Sequence, residues 1–434
     1  MSLLAFPRLF KGMTRAVFFG AYLCLGMVLE AIPNAVLSAV NQDDSALDGQ
    51  EISEHLLSSD LWAGKKKLLG DWREEASVVG TRSAYLLALP KMFGLDSLLV
   101  RSVYRGERLE EIQVTFADAG SFFGYFNPRS PAGLSRKQQT EWLREQLAGR
   151  DAEFQKSFEG TRESLEKELA EISKRPRDVS RGRTRTLRAE MIEYRYEDLI
   201  LHLIAAPNRL IRLSISRAGS SQRSWLDSAQ ANLSTNERLD QLKKRLVKHE
   251  RGDLMLSDLA VVPQGYRPYC GLNTLTMVGR YLGLHLDEDW LAVAGKFQNT
   301  GSAAGSQMLG LYQAVAKEAG FMMSRSSDYS QSDVRRSLQS GMPVIVWRRW
   351  SRDRDREHQR VSAQLDQGED VSFSNDSSSY PDEKSPLHAS VIIGFNDQRK
   401  EVIFLESWAG QSRARRMLIR EIEATAYLTF CFHP

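Results

Sequence analysis

Cysteine is scarce in this sequence. Three among 434 residues are too few for a disulfide framework or a thiolate zinc cluster. Proline is scarce as well, at 13, and with 42% hydrophobic residues this excludes a collagen-like or wholly disordered chain. Neither sign of charge dominates. The 58 basic and 55 acidic residues leave a formal charge of +3, which gives no whole-chain argument for nucleic acid as a partner. There is no series of membrane-spanning runs and no internal repeat. The glycines of residues 301–320 do not reproduce the Gly-x4-Gly-Lys-Ser/Thr phosphate loop, so nucleotide binding is disfavoured. No cofactor is implied, and no metal. His358 lies in a charged run without a ligand-spaced partner, and Cys431 with His433 supplies two candidate ligands where a zinc site takes four.

What is present begins with an export signature. Lys11 and Arg15 precede an uncharged apolar run at residues 16–29 (AVFFGAYLCLGMVL), which Glu30 ends and small residues follow. A basic start, a short apolar core and a small-residue exit describe a secretory signal over residues 1–39, with Val36 and Ser38 at the cleavage positions. The alternative is an uncleaved anchor extended to Val40, which would bring transient membrane association. Either way the expected location is outside the cytoplasm, periplasmic or secreted, or anchored in the inner membrane. Cys24 would leave with a cleaved signal.

Residues 40–60 read as a polar linker, and residues 61–230 as an accessory α+β domain without a chemical motif. Residues 83–93 look helical until Pro90, which should end or kink a helix. Strands are expected at 98–104, 111–116, 193–203 and 209–215. A long charged helix is expected over 135–173, its apolar stripe of Trp142, Leu143, Leu147, Phe154, Phe158, Leu165, Leu169 and Ile172 interrupted by Gly149 and Gly160. The basic stretch 174–188 reads as a solvated loop, residues 231–254 as a helical connector, and 351–385 as a solvated insertion.

The chemistry concentrates in residues 255–434. Cys270 follows a loop containing proline and glycine and opens an apolar periodic segment, which places its thiol near a helix N-terminus where thiolate is favoured. Gln264, six residues earlier, can donate its side-chain amide toward an oxygen that becomes negative during acyl transfer. A thiol nucleophile needs an imidazole. His388 stands at the start of an apolar strand, and the turn FNDQRKE returns the chain through 402–405, a β-hairpin that brings Glu406 beside His388. A carboxylate there would orient the ring, and Trp408 would cover the contact.

The order Gln264, Cys270, His388 and an acidic residue resembles the papain-like cysteine peptidase superfamily, and within it the bacterial bacteriocin-leader-processing, double-glycine peptidase-like branch. Gln264-x5-Cys270-Gly271 resembles its opening motif, Gly341-Met342-Pro343-Val344-Ile345-Val346 its central strand, and His388–Phe395 its histidine strand. Glu406-Ser407-Trp408 falls where that family carries Asn-Ser-Trp or Asp-Pro-Trp, so the glutamate is a departure. The resemblance implies an α+β, papain-like two-lobed fold with an additional N-terminal α+β domain. It also implies Cys270 as nucleophile, His388 as general base and acid, Glu406 as orienting residue and Gln264 as oxyanion donor. The expected substrate is a protein or peptide. The readings set against this one are an inactive peptidase-like binding or assembly protein, and an acyl-thioester transferase or amidase on the same scaffold.

Overall fold

The computed structural model describes residues 47–126, 128–173, 175–219, 223–297, 307–408 and 413–434. The export segment, with Lys11, Arg15, Cys24, Val36 and Ser38, lies outside these residues, as does most of the small-residue stretch before Met308. Among the described residues, no helix is long and apolar enough to cross a membrane.

The front half of the chain builds an eight-stranded antiparallel sheet. Its strands are β1 (Trp72–Glu75), β2 (Arg82–Leu86), β3 (Leu99–Arg105), β4 (Arg108–Asp118), β5 (Arg177–Arg181), β6 (Ala189–Tyr196), β7 (Leu199–Ala206) and β8 (Leu210–Arg217), in the order β1-β2-β3-β4-β8-β7-β6-β5. Two segments depart from expectation. Residues 82–86 form a strand rather than a helix, because their cross-strand pairing with 101–104 outweighs local helical preference. Part of the basic stretch is β5, paired with β6 from Arg177 to Arg181.

Strand alternation gives this sheet two different faces. Leu201, Leu203, Ile211, Leu213 and Ile215 lie on one face, against Phe154, Phe158, Leu165 and Leu169. A short helix, α1 (Ala119–Phe123), follows β4, and the long helix α2 (Arg136–Ile172) supplies those phenylalanines and leucines. Helix α2 opens on a capping box between Ser135 and Gln138 and runs through both Gly149 and Gly160, which face open space. A glycine costs a helix only about 1 kcal/mol, too little to interrupt one anchored by four buried side chains. The stripe is buried only from Phe154 onward.

The opposite face of the sheet belongs to a second core. Leu187, Ala189, Met191, Ile204 and Leu210 pack in one cluster with Trp225, Tyr269, Leu272 and Trp290. The connector contains one helix, α3 (Thr235–Lys243), followed by strands β9 (Leu246–Lys248) and β10 (Asp253–Leu256).

The remaining chain forms α4 (Cys270–Tyr281), α5 (Glu288–Ala294), α6 (Met308–Glu318), β11 (Met322–Ser326), α7 (Gln331–Gln339), β12 (Val344–Arg349), α8 (Arg352–Asp366), β13 (Leu387–Asn396), β14 (Glu401–Leu405), β15 (Arg415–Leu418), α9 (Ile419–Thr425) and β16 (Ala426–His433). The second antiparallel sheet runs β9-β10-β13-β12-β16-β11, with β14 on the other edge of β13 and β15 beyond it. The insertion is not a solvated loop throughout. Helix α8 buries Arg354, His358, Val361 and Leu365, and Glu421 of α9 accepts from the guanidinium of Arg354 and pairs with His358 Nε2 at 2.9 Å. Mixed α and β structure thus runs through both parts of the chain.

Candidate active site

Cys270 is the first residue of α4, whose apolar positions face the core. Its first turn is tied down by Gly271, whose carbonyl accepts from Tyr312 Oη at 2.8 Å and from Thr274 Oγ1 at 3.0 Å. A Cβ on Gly271 would lie 3.2 Å from Met308 Cε and 3.7 Å from Trp347 Cζ2, so this corner is packed tightly.

His388 enters from the sheet. It lies opposite Arg348 across β12 and β13, and Ser390, two residues on, shares its face. The return strand β14 delivers Glu406 just past its end. The Glu406 carboxylate is surrounded by donors: His388 Nε2 at 2.5 Å, an Arg348 guanidinium nitrogen at 2.6 Å, and Ser390 Oγ at 3.0 and 3.1 Å. Arg348 also donates to Ser390 Oγ at 3.1 Å, which closes the ring of contacts. All four side chains are buried. Trp408 stacks on the His388 ring at 4.5 Å and 6°, and Trp350 lies 5.8 Å from Trp408.

These contacts set the charges. Burial alone would raise the Glu406 carboxyl, but the positive charges of His388 and Arg348 bring it down to about 2. Burial would lower the His388 imidazole; the Glu406 charge and a hydrogen bond with Cys270 instead push it up to about 9. The Cys270 thiol feels the same competition. Burial raises it, and the His388 hydrogen bond and charge, with the Ala389 and Gly271 backbone amides, leave it below its ordinary value. Cys431 shows the contrast: burial, then Asp333, pushes its thiol up to about 11. With Nε2 engaged by Glu406, the Nδ1 edge is the one left to the sulfur. A thiol lowered beside an imidazole that is raised can exist as a thiolate–imidazolium pair, the form in which a cysteine attacks an acyl carbon.

Gln264 is buried. Its backbone N–H donates to the Ser407 carbonyl at 2.8 Å, and its side-chain oxygen accepts from Ser407 Oγ at 2.7 Å. The second contact orients the amide, whose Nε2 donates to Tyr125 Oη at 2.9 Å. The four residues singled out from sequence therefore sit around one corner between α4 and the second sheet. Sequence reasoning missed Arg348, Ser390 and Tyr125. The two arginines ending the apolar strand 344–349 were a legible signal for Arg348. Nothing local pointed to Tyr125, which lies 139 positions from its partner. Among the described residues, no group of three or more His, Cys, Asp or Glu side chains is arranged to hold a metal ion.

No curated protein matches the chain. A crystal structure of a Bacillus anthracis protein described as a C39-like peptidase is similar at 12% identity, covering 42% of this chain and 98% of that one, with a TM-score of 0.28. The model of the Peptidase_C39 like family matches residues 256–431, the span that carries Cys270, His388, Glu406 and Gln264. The C-terminal region of this chain is thus similar to the Peptidase_C39 like family.

Proposed function

We propose that the protein is an exported cysteine peptidase that hydrolyses peptide bonds, with Cys270 as nucleophile, His388 as base and acid, Glu406 as orienting residue and Gln264 as oxyanion donor. The observation that carries this reading is the His388 imidazole, clamped by Glu406 at 2.5 Å and near enough to Cys270 that each shifts the other's titration. On this reading the substrate cleft lies between a helical side headed by α4 and a sheet side built on β12, β13 and β14, as in a two-lobed papain-like fold. Export rests on the basic and apolar pattern of residues 11–29.

The chemistry balances with these residues alone. The Cys270 thiolate attacks the peptide carbonyl carbon and forms the S–C bond. The carbonyl π electrons move to oxygen, which accepts from Gln264 Nε2. Collapse breaks the C–N bond as His388 gives its proton to the departing amine. A water molecule, deprotonated by His388, then attacks the thioester and releases the carboxylic acid and the thiol. The orienting role tolerates glutamate because Arg348 and Ser390 pin its longer side chain, which keeps the oxygen 2.5 Å from Nε2. Mature protein treated with a peptide-based thiol electrophile should gain one adduct on Cys270 and none on Cys431, and Cys270→Ala should abolish both capture and hydrolysis of a peptide library. Equal hydrolysis by wild type and Cys270→Ala would overturn the assignment.

A further inference from the structure

One of the two N–H groups of the proposed oxyanion donor is already in use. Gln264 Nε2 donates to Tyr125 Oη at 2.9 Å, a distance at which such a donor would hold the oxygen of a tetrahedral intermediate. Tyr125 does not come from the family domain. It lies in the front half, in the turn that follows α1. Several contacts seat that turn against the loop between Gln264 and Cys270. Asp118, the N-cap of α1, lies 3.6 Å from Arg267, which itself donates to the Gln264 carbonyl at 3.4 Å. Gly120 lies so close to the Tyr269 ring and hydroxyl that no side chain could fit there. Gly124, at φ +52°, leaves only 3.2 Å between a built Cβ and the Tyr266 carbonyl oxygen. From the other side Arg150 of α2 donates to the Phe122 carbonyl and lies 4.4 Å over the Phe122 ring.

We infer that Tyr125 is an autoinhibitory gate: its phenol occupies one N–H of the oxyanion donor in the resting enzyme, and a substrate oxygen that takes this N–H displaces it. This rests on the peptidase reading above. The Gln264 amide oxygen is held by Ser407, whereas Tyr125 is 49% exposed, so the phenol borders solvent. On this inference the group displaced is the phenol, not the amide. A substrate carbonyl gains this N–H only by replacing a neutral hydrogen bond, so the gate slows acylation without abolishing it. It also makes the rate sensitive to how the front sheet and α2 sit on the loop before Cys270.

The full mature chain distinguishes this gate from its alternatives. Tyr125→Phe removes the hydroxyl and keeps the ring, and should raise kcat/KM for peptide hydrolysis about 2- to 10-fold, the factor expected for one neutral hydrogen bond. Tyr125→Ala should raise it at least as much. Iodoacetamide alkylates the sulfur at a saturated carbon and needs no oxyanion donor, so its rate at Cys270 should stay the same in all three proteins. An unchanged kcat/KM in Tyr125→Phe would overturn the gate, and a fall in kcat would do so by making the hydroxyl a second oxyanion donor. Wild-type hydrolysis that survives Cys270→Ala would instead defeat the peptidase reading itself.

Discussion

Glu406 is the residue on which the electrostatics of the site turn. Cys270 and His388 are both buried enough that burial, acting alone, would leave a neutral thiol and a neutral imidazole. The carboxylate reverses this by stabilising the imidazolium, and Arg348 keeps the carboxylate ionised. The sign of the pH dependence follows. On the proposed mechanism a thiolate–imidazolium pair would be populated above the lowered Cys270 value and lost as pH rises through the raised His388 value, about 9. The alkaline limb of kcat/KM should fall near that pH. Glu406→Gln removes the charge that raises His388 and should move this limb down by about one unit or more, with a loss of activity. An alkaline limb that does not move in a full pH–rate profile would assign the raised imidazole to another cause.

At the level of elements, one extra residue in a hairpin decides where Glu406 points. Strands β13 and β14 pair Asn396 with Glu401, Phe395 with Val402 and Gly394 with Ile403, then shift so that Ile392 meets Phe404 and Val391 meets Leu405. Ile393 is the bulged residue. Continued past the strand end, the shifted register sets Glu406 opposite Ser390, on the His388 face. The unshifted register would set it opposite Val391, because a one-residue slip exchanges the two faces of a strand. Gly394 makes the bulge compatible with β10: a Cβ there would lie 2.5 Å from the Leu254 carbonyl oxygen and 2.9 Å from Met255 Cα. Gly394→Val should therefore cost roughly 2–4 kcal/mol, in the range of overpacking and backbone displacement. It should also lower activity more than stability alone predicts, as Glu406 loses register. Urea unfolding and hydrolysis measured on the same preparation would check both. The hairpin was readable from FNDQRKE between two apolar runs, but the bulge was not, because no turn residue marks it. Helix α8 was missed for a related reason: its buried face is largely polar, Arg354 and His358 among them, and their partner Glu421 is more than sixty residues away.

On the scale of the whole molecule, the front half is bound to the family domain through apolar packing and a buried ionic cluster. Arg212 of β8 donates to Asp287 at 2.5 Å and to Asp289 at 3.2 Å, and Arg267, three residues before Cys270, donates to Glu288 at 2.9 Å and also pairs with Asp289. The loop that carries the candidate site is thus positioned by charges on the front sheet. Removing one partner of a buried pair leaves the others uncompensated, so Arg212→Met should destabilise the protein by about 3–5 kcal/mol. Because Leu187, Ile204 and Leu210 share a cluster with Leu272 and Trp290, wild type and variant should each unfold in one transition by far-UV circular dichroism and by tryptophan fluorescence. Two separate transitions would show that the sheets are independent.

The sequence by itself determined the local chemistry. Cys270 at the head of an apolar helix, Gln264 in the loop before it, and His388 and Glu406 on two arms of a hairpin are all short-range patterns, and short-range patterns survive without knowledge of the fold. It also determined the 3.6-residue stripe of α2 from Phe154 onward. Only the tertiary structure decided the rest. Arg348 reaches Glu406 across 58 positions and Tyr125 reaches Gln264 across 139. Such contacts depend on which strands become neighbours and on the register in which they pair. Those choices are made by the summed burial of two sheets rather than by any residue near the site.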